Sequence, residues 1–334
     1  MTLSARELWI EAPGCARVRE VPAPEPGPSE VLIETLRSGI SPGTETLIYR
    51  GEVPAAVTAL MAAPHQLGQL PYPVSHGYLN VGVVRQGPEE LLDKRVFSLT
   101  GHRSHAVVPA EACHVVPESM PSERALLAGI AEVGLNAVWE AQTTVGDRVA
   151  VVGAGLVGLV TALLLAQVSP ARLQLVEIDP ARRALAAGLG LETVAPQDAA
   201  GDNDAVFHTS AADAGLRRAL ELAGDDAAVV EMSWYGTREP AVPLGADFHA
   251  RRLRIIGAQV GEVAAPKRLR RTRRQRLAAA LHLLDSRFDA LITGVSALDE
   301  LPGVFEDFSR KADWTRNQLL HAVTYRQSEP EGAP

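Results

Sequence analysis

Apolar and polar positions follow two different patterns along this chain, and the change falls near residue 120. Before it, short β-rich runs such as EVLIETL, VGVV, RVFSL and SHAVVP are separated by proline- and glycine-rich clusters like PAPEPGPSE. Runs of that length bounded by turn residues predict a twisted antiparallel β-barrel. Between about residues 123 and 262, strand and helix patterns alternate, which predicts α/β layers around a parallel sheet. The strands are VAVVG, LQLVEID, DAVFHTS, AAVVEMSWYG and LRIIGAQ, and the helices between them include PARRALAAGLG and AGLRRALELAG. After Gly261 come a basic stretch, an apolar helix around RLAAALHLLD and a return strand, HAVTY. The expected class is α/β, with a first domain over 1–122, a second over 123–262 and a return to the first over 263–334. The tail RQSEPEGAP reads as a frayed, unstructured end.

The most specific pattern is RVAVVGAGLVGLVTALLLAQVSPARLQLVEID. A β-branched run ends in GAGLVG, an apolar helical segment follows, and a second apolar run closes on Glu177. Gly153 permits the tight turn out of the strand, Gly155 has no Cβ to keep a pyrophosphate away, and Gly158 lets the helix pack on the sheet. The first helical turn, with Leu156 and Val157, presents free N–H groups and a positive dipole end to phosphate. Glu177, at the tip of the second strand, would accept hydrogen bonds from the adenosine ribose hydroxyls and repel a 2′-phosphate. Arg182 and Arg183 follow closely and are the alternative partners for such a phosphate. NAD is the expected cofactor.

Composition narrows the class further. A chain of 334 residues is long enough for two domains, and 46% hydrophobic with 22% charged residues is ordinary for a water-soluble protein. A net charge of −8 argues against nucleic-acid binding, and no apolar run reaches the roughly 20 residues that span a bilayer. The start MTLSARELWIEAPG lacks the features of a secretion signal, and two cysteines, Cys15 and Cys113, make no disulfide framework. A cytoplasmic protein acting on a small molecule is expected, with no nucleic acid or membrane partner. Seven basic residues between Lys267 and Arg276 read as a solvated face or, alternatively, as a rim for an anionic ligand.

The order SGISPGTE, GYLNVGVV, DKRVFSL, SHAVVP, VGDRVAVVGAGLVG and LITGVSALDELPGVFE resembles the medium-chain dehydrogenase/reductase superfamily over nearly the whole chain. The resemblance implies a GroES-like barrel domain, a Rossmann domain and a homodimer joined through LRIIGAQ. Zinc-containing members carry a Cys in the first motif, a His–Glu pair in the second and a further Cys or Glu before the nucleotide fold. Here Ser41 or Pro42, then Tyr78 and Leu79, then the Ala128–Glu132 region stand at those places. No structural-zinc cysteine lobe is present. No metal is expected, although a shifted ligand set around His76, with Glu45, His65, His102, His105 or Glu132, stays open. Ser41, Gly43, Thr44, Glu45, Gly77 and Tyr78 match the motifs of the subgroup that oxidises the hydroxyethyl group of bacteriochlorophyllides, and of its bacterial relatives.

Without zinc, hydrogen-bond donors must polarise and protonate a carbonyl. Tyr78, a phenol over a former metal-ligand position, is the best candidate donor or else a packed barrel tyrosine, while the resemblance implies Thr44 as the proton relay and Ser41 as its extension. Glu132, lying among apolar and small residues, is either a further proton-donor candidate whose pKa burial would raise or a carboxylate paired with a basic residue or a backbone N–H. The expected activity is NAD-dependent interconversion of a secondary alcohol and a ketone on a fairly large metabolite. Reduction of an enone or quinone, and a catalytically silent dinucleotide-binding protein, are the alternatives.

Overall fold

A computed structural model describes residues 4–325, so the tail RQSEPEGAP lies outside the described residues. The described residues form two compact units, one from the chain on either side of the stretch 128–290 and the other from 128–290 itself.

The first unit opens with an antiparallel hairpin of β1 (Ser4–Ala12) and β2 (Cys15–Pro22). Then come β3 (Glu30–Ile40), α1 (Pro42–Arg50), β4 (Leu67–Gly68), β5 (Val74–Ser75), β6 (Asn80–Gln86), β7 (Arg95–Ser98), β8 (His105–Pro109), β9 (His114–Val115) and α2 (Ser122–Leu126). Val31 and Ile33 of β3 meet Val84, Val96, Ala106 and Val108 in one apolar core, where Cys113 serves as a small hydrophobe. Helix α1 starts where the sequence places a proline, which needs no N–H in the first turn.

The second unit holds the alternating pattern. It contains α3 (Ala128–Ala141), β10 (Arg148–Val152), α4 (Leu156–Ala166), β11 (Arg172–Val176), α5 (Pro180–Gly188), β12 (Glu192–Val194), β13 (Asn203–His208), α6 (Asp213–Leu222), β14 (Ala223–Glu231), β15 (Arg254–Gly257) and α7 (Arg273–His282). Six parallel strands run in the order β12-β11-β10-β13-β14-β15, so the order reverses beside β10. β15 is the sheet's edge, with Ile255 exposed and Leu253 buried in the core. Asp179 caps α5, its carboxylate accepting from Ala181 N at 2.9 Å.

The return to the first unit comes later than residue 263. Residues 263–290 belong to the second unit because Arg276, buried on α7, ion-pairs with Glu132 on α3. The rest of the basic stretch is exposed. Thr272 closes the start of α7 in a capping box with Gln275. The returning chain supplies β16 (Ile292–Ala297), α8 (Leu301–Arg310) and β17 (Leu320–Thr324). β17 pairs with β3, Val323 opposite Ser38, within the sheet β16-β17-β3-β6-β7-β9; β8 also pairs with β3. Among the described residues, no helix is long and apolar enough to cross a membrane.

Candidate dinucleotide and active sites

At the reversal of strand order, β10 leads into Gly153 at φ +109°. A Cβ there would stand 2.9 Å from the Ser210 backbone, and one at Gly158 would lie 1.9 Å from the Gly153 carbonyl oxygen. The turn and the close seating of α4 on it therefore require glycine at both positions. Gly155 differs: nothing lies within 4 Å of where its Cβ would be, which leaves the backbone open to a ligand. No side chain caps α4, so its first turn, with Leu156 and Val157, keeps donors for an anion. A cavity of about 470 Å³ opens here, lined by Gly153, Gly155, Glu177, Ile178, Thr209 and Ser210 among others.

Glu177 is buried and held by backbone on both oxygens, accepting from Ala154 N at 2.7 Å and Asp179 N at 2.9 Å. Its negative charge is thus fixed at the cavity wall. Arg182 and Arg218 also line the cavity. The guanidinium of Arg218 donates to the carbonyls of Pro196 (2.9 Å) and Ala199 (3.2 Å), and Arg182 has a partner of its own. Arg183 turns back to the carbonyls of Glu177 and Ile178.

The first unit brings together Ser41, Thr44 and Tyr78. The Tyr78 phenol lies close enough to the Ser41 and Thr44 hydroxyls for both to act on its ionisation. Burial, reinforced by Glu45, pushes the phenol up to about 12 against the pull of those two hydroxyls, so it stays protonated at neutral pH. Ser41 does not cap α1 with its hydroxyl. Its N–H instead donates to Glu45 Oε1 at 2.8 Å.

Behind this trio runs a buried chain that the sequence pattern did not reveal. Glu45 Oε2 lies 2.9 Å from His102 Nε2, His102 Nδ1 lies 2.8 Å from Ser38 Oγ, and Ser38 Oγ lies 2.7 Å from the Tyr325 hydroxyl. A carboxylate only accepts, so in the neutral ring His102 donates through Nε2, accepts from Ser38 through Nδ1, and Ser38 accepts from Tyr325. Burial raises the Tyr325 phenol, which keeps it a donor. The available signal was slight: a serine inside the otherwise apolar SGI run, and a histidine among polar residues in TGHRSH.

Among the described residues, no three His, Cys, Asp or Glu side chains are grouped so as to hold a metal ion. Glu45 and His102 are bonded to each other, Leu79 is core, and His76 gives its Nδ1 to Gln66 Oε1 at 3.0 Å. Burial lowers His76 to about 4 and keeps it neutral, edge-on to Tyr78. Glu132 belongs to the second unit, with Oε1 3.0 Å from Arg276 Nε, and Arg276 also donates to Asn136 Oδ1 at 2.6 Å. Burial does raise its pKa, with Arg276 opposing the shift.

The two units define a GroES-like plus Rossmann architecture, the fold of medium-chain zinc-binding dehydrogenases. No family model matches the chain. Curated proteins similar to it over part of their length include sorbitol dehydrogenases and an uncharacterised zinc-type alcohol dehydrogenase-like protein of Haemophilus influenzae. Sheep sorbitol dehydrogenase is 26% identical over 211 residues, 56% of this chain and 59% of its own. The chain thus spans about three fifths of the curated relatives it matches. A zinc-binding dehydrogenase of Sinorhizobium meliloti bound to NADP superposes with a TM-score of 0.78 at 20% identity, covering 96% of this chain and 99% of its own. An alcohol dehydrogenase of Escherichia coli CFT073 complexed with NADH gives 0.76 at 19% identity, with coverage of 96% and 99%.

Proposed function

We propose that this protein is an NAD(H)-dependent oxidoreductase that interconverts a secondary alcohol and a ketone on a fairly large metabolite without catalytic zinc. The observation that carries the proposal is the Tyr78 phenol. It stays protonated at neutral pH, lies beside the Ser41 and Thr44 hydroxyls, and stands in the motif position where zinc-containing relatives carry a metal ligand. The nicotinamide, when bound, supplies or accepts the hydride. Tyr78 donates to the substrate oxygen, and that bond strengthens as negative charge develops there. Thr44 and Ser41 carry the proton onward, while Glu45, clamped by His102 and the Ser41 N–H, holds the start of α1 in place. Gly153, Gly155, Gly158 and the first turn of α4 would hold the pyrophosphate, and Glu177 the adenosine ribose. The motif likeness to bacteriochlorophyllide dehydrogenases supports a bulky alcohol as substrate.

The decisive experiment assays chelator-treated protein with NADH against a panel of ketones and enones. Ketone turnover that survives chelation is expected, and stoichiometric zinc lost together with activity would overturn the zinc-free reading. NADH should bind well ahead of NADPH, because a fixed carboxylate at Glu177 opposes a 2′-phosphate and Arg218 is already engaged. Glu177→Ala should narrow that gap, and a wild-type preference for NADPH would sink the cofactor assignment. Pairing of two copies along the β15 edge completes the proposal, since an open strand edge invites a partner strand. A monomer by light scattering at micromolar concentration would count against that pairing.

A further inference from the structure

The C-terminal ends of β13 and β14 carry a hydrogen-bonded polar cluster inside the second unit. His208, fully buried, ends β13, and Glu231 ends β14 beside it. His208 Nδ1 lies 2.8 Å from Glu231 Oε2, and His208 Nε2 lies 2.7 Å from the hydroxyl of Ser210. Glu231 also accepts from Ser233 N at 2.7 Å and from the Tyr235 hydroxyl at 3.3 Å. Burial, with Glu231 beside it, pushes the Tyr235 phenol up and keeps it a donor. A carboxylate so surrounded is an acceptor only, so Nδ1 of His208 carries the proton facing it.

That tautomer determines what Ser210 does. In the neutral ring Nε2 has a bare lone pair, and the Ser210 hydroxyl donates to it. The hydroxyl proton is then taken, and the oxygen's remaining lone pairs act only as acceptors. Ser210 is exposed and lines the same 470 Å³ cavity as Gly153, Gly155 and Glu177. Its position is held on both sides. Thr209 donates to the Gly153 carbonyl at 2.9 Å, and Ala211 N donates to Ser233 Oγ at 3.1 Å. A Cβ on Gly215 would stand 2.0 Å from Ser210 Oγ, so α6 approaches this hydrogen bond as closely as a glycine allows.

We propose that Ser210 accepts a hydrogen bond from a ribose hydroxyl of the dinucleotide, with His208 and Glu231 as positioning residues that orient its hydroxyl. The inference rests on the dinucleotide reading of the cavity. It adds a second acceptor to Glu177 and assigns the cluster at the ends of β13 and β14 to ligand recognition.

The test is a fluorescence titration of wild type, Ser210→Ala and Glu231→Gln. The ligands are NADH and its four monodeoxy analogues, each lacking the 2′ or 3′ hydroxyl of one ribose. Loss of one hydrogen bond should weaken NADH binding to Ser210→Ala by roughly five- to tenfold. One analogue should bind wild type with a similar deficit and lose nothing further in Ser210→Ala. Glu231→Gln should give a smaller loss that disappears with that same analogue, which a merely structural role would not produce. Ser210→Ala within twofold of wild type for NADH, or equally weakened for all five ligands, would overturn the role of Ser210 alone. Wild type that binds no NADH would instead overturn the dinucleotide reading and this inference with it.

Discussion

Tyr78→Phe should lower ketone turnover by roughly a hundred- to thousandfold, about 2.7–4 kcal/mol, while leaving the fold and NADH affinity intact. The variant removes one hydroxyl, and that hydroxyl matters most when negative charge appears on the substrate oxygen. The phenol's pKa of about 12 gives the prediction a second part. Across neutral pH Tyr78 is a donor in wild type, so its contribution should be flat there and fall only at strongly alkaline pH. Thr44→Val should cost less, because water can replace a hydroxyl that only relays a proton. Steady-state rates of both variants across pH check the ordering. Near-normal turnover in Tyr78→Phe would remove Tyr78 from the chemistry, and equal losses in both variants would show one coupled relay.

The trio Ser41, Thr44 and Tyr78 was legible because two short motifs carry it and a glycine pattern aligns them. The Rossmann half was legible for a similar reason: strand, glycine turn and helix are contiguous, and each glycine has its own steric task. Contacts between distant segments were not legible. Glu45 meets His102 across a sequence gap that no periodicity spans, and Ser38 meets Tyr325 only because β17 returns to pair with β3. The same holds for His208 and Glu231, which share a site because their parallel strands end in register. A lone histidine closing the apolar run DAVFH was the available sign, since a buried imidazole needs partners. Arg276 was hidden by its neighbours, because a run of exposed arginines gives no hint that one of them faces inward. Its burial also explains why the second unit extends to residue 290.

Arg276→Met should destabilise the protein by about 3–5 kcal/mol, the usual result of removing one partner from a buried ion pair. Glu132 would stay buried on α3 without its cation, and Asn136 and the Glu262 carbonyl would each lose a donor. The deficit should depend on pH in a definite direction. Burial holds Glu132 above its ordinary value of 4.5 in the folded state even with Arg276 present, and without Arg276 the shift should grow. A carboxyl with a raised folded pKa binds protons more readily when folded. Its favourable contribution is full below the ordinary value and is lost as pH rises through the folded value. The gap between variant and wild type should therefore be widest at neutral and alkaline pH and shrink in acid, as thermal unfolding at pH 5 and pH 8 would show. Glu132→Leu combined with Arg276→Met should recover most of the loss, because a matched apolar pair carries no desolvation penalty. Equal melting of Arg276→Met and wild type at pH 8 would mean that this pair does not hold α7 to α3. A double variant as unstable as the single one would place the loss in Asn136 and the Glu262 carbonyl rather than in the stranded carboxylate.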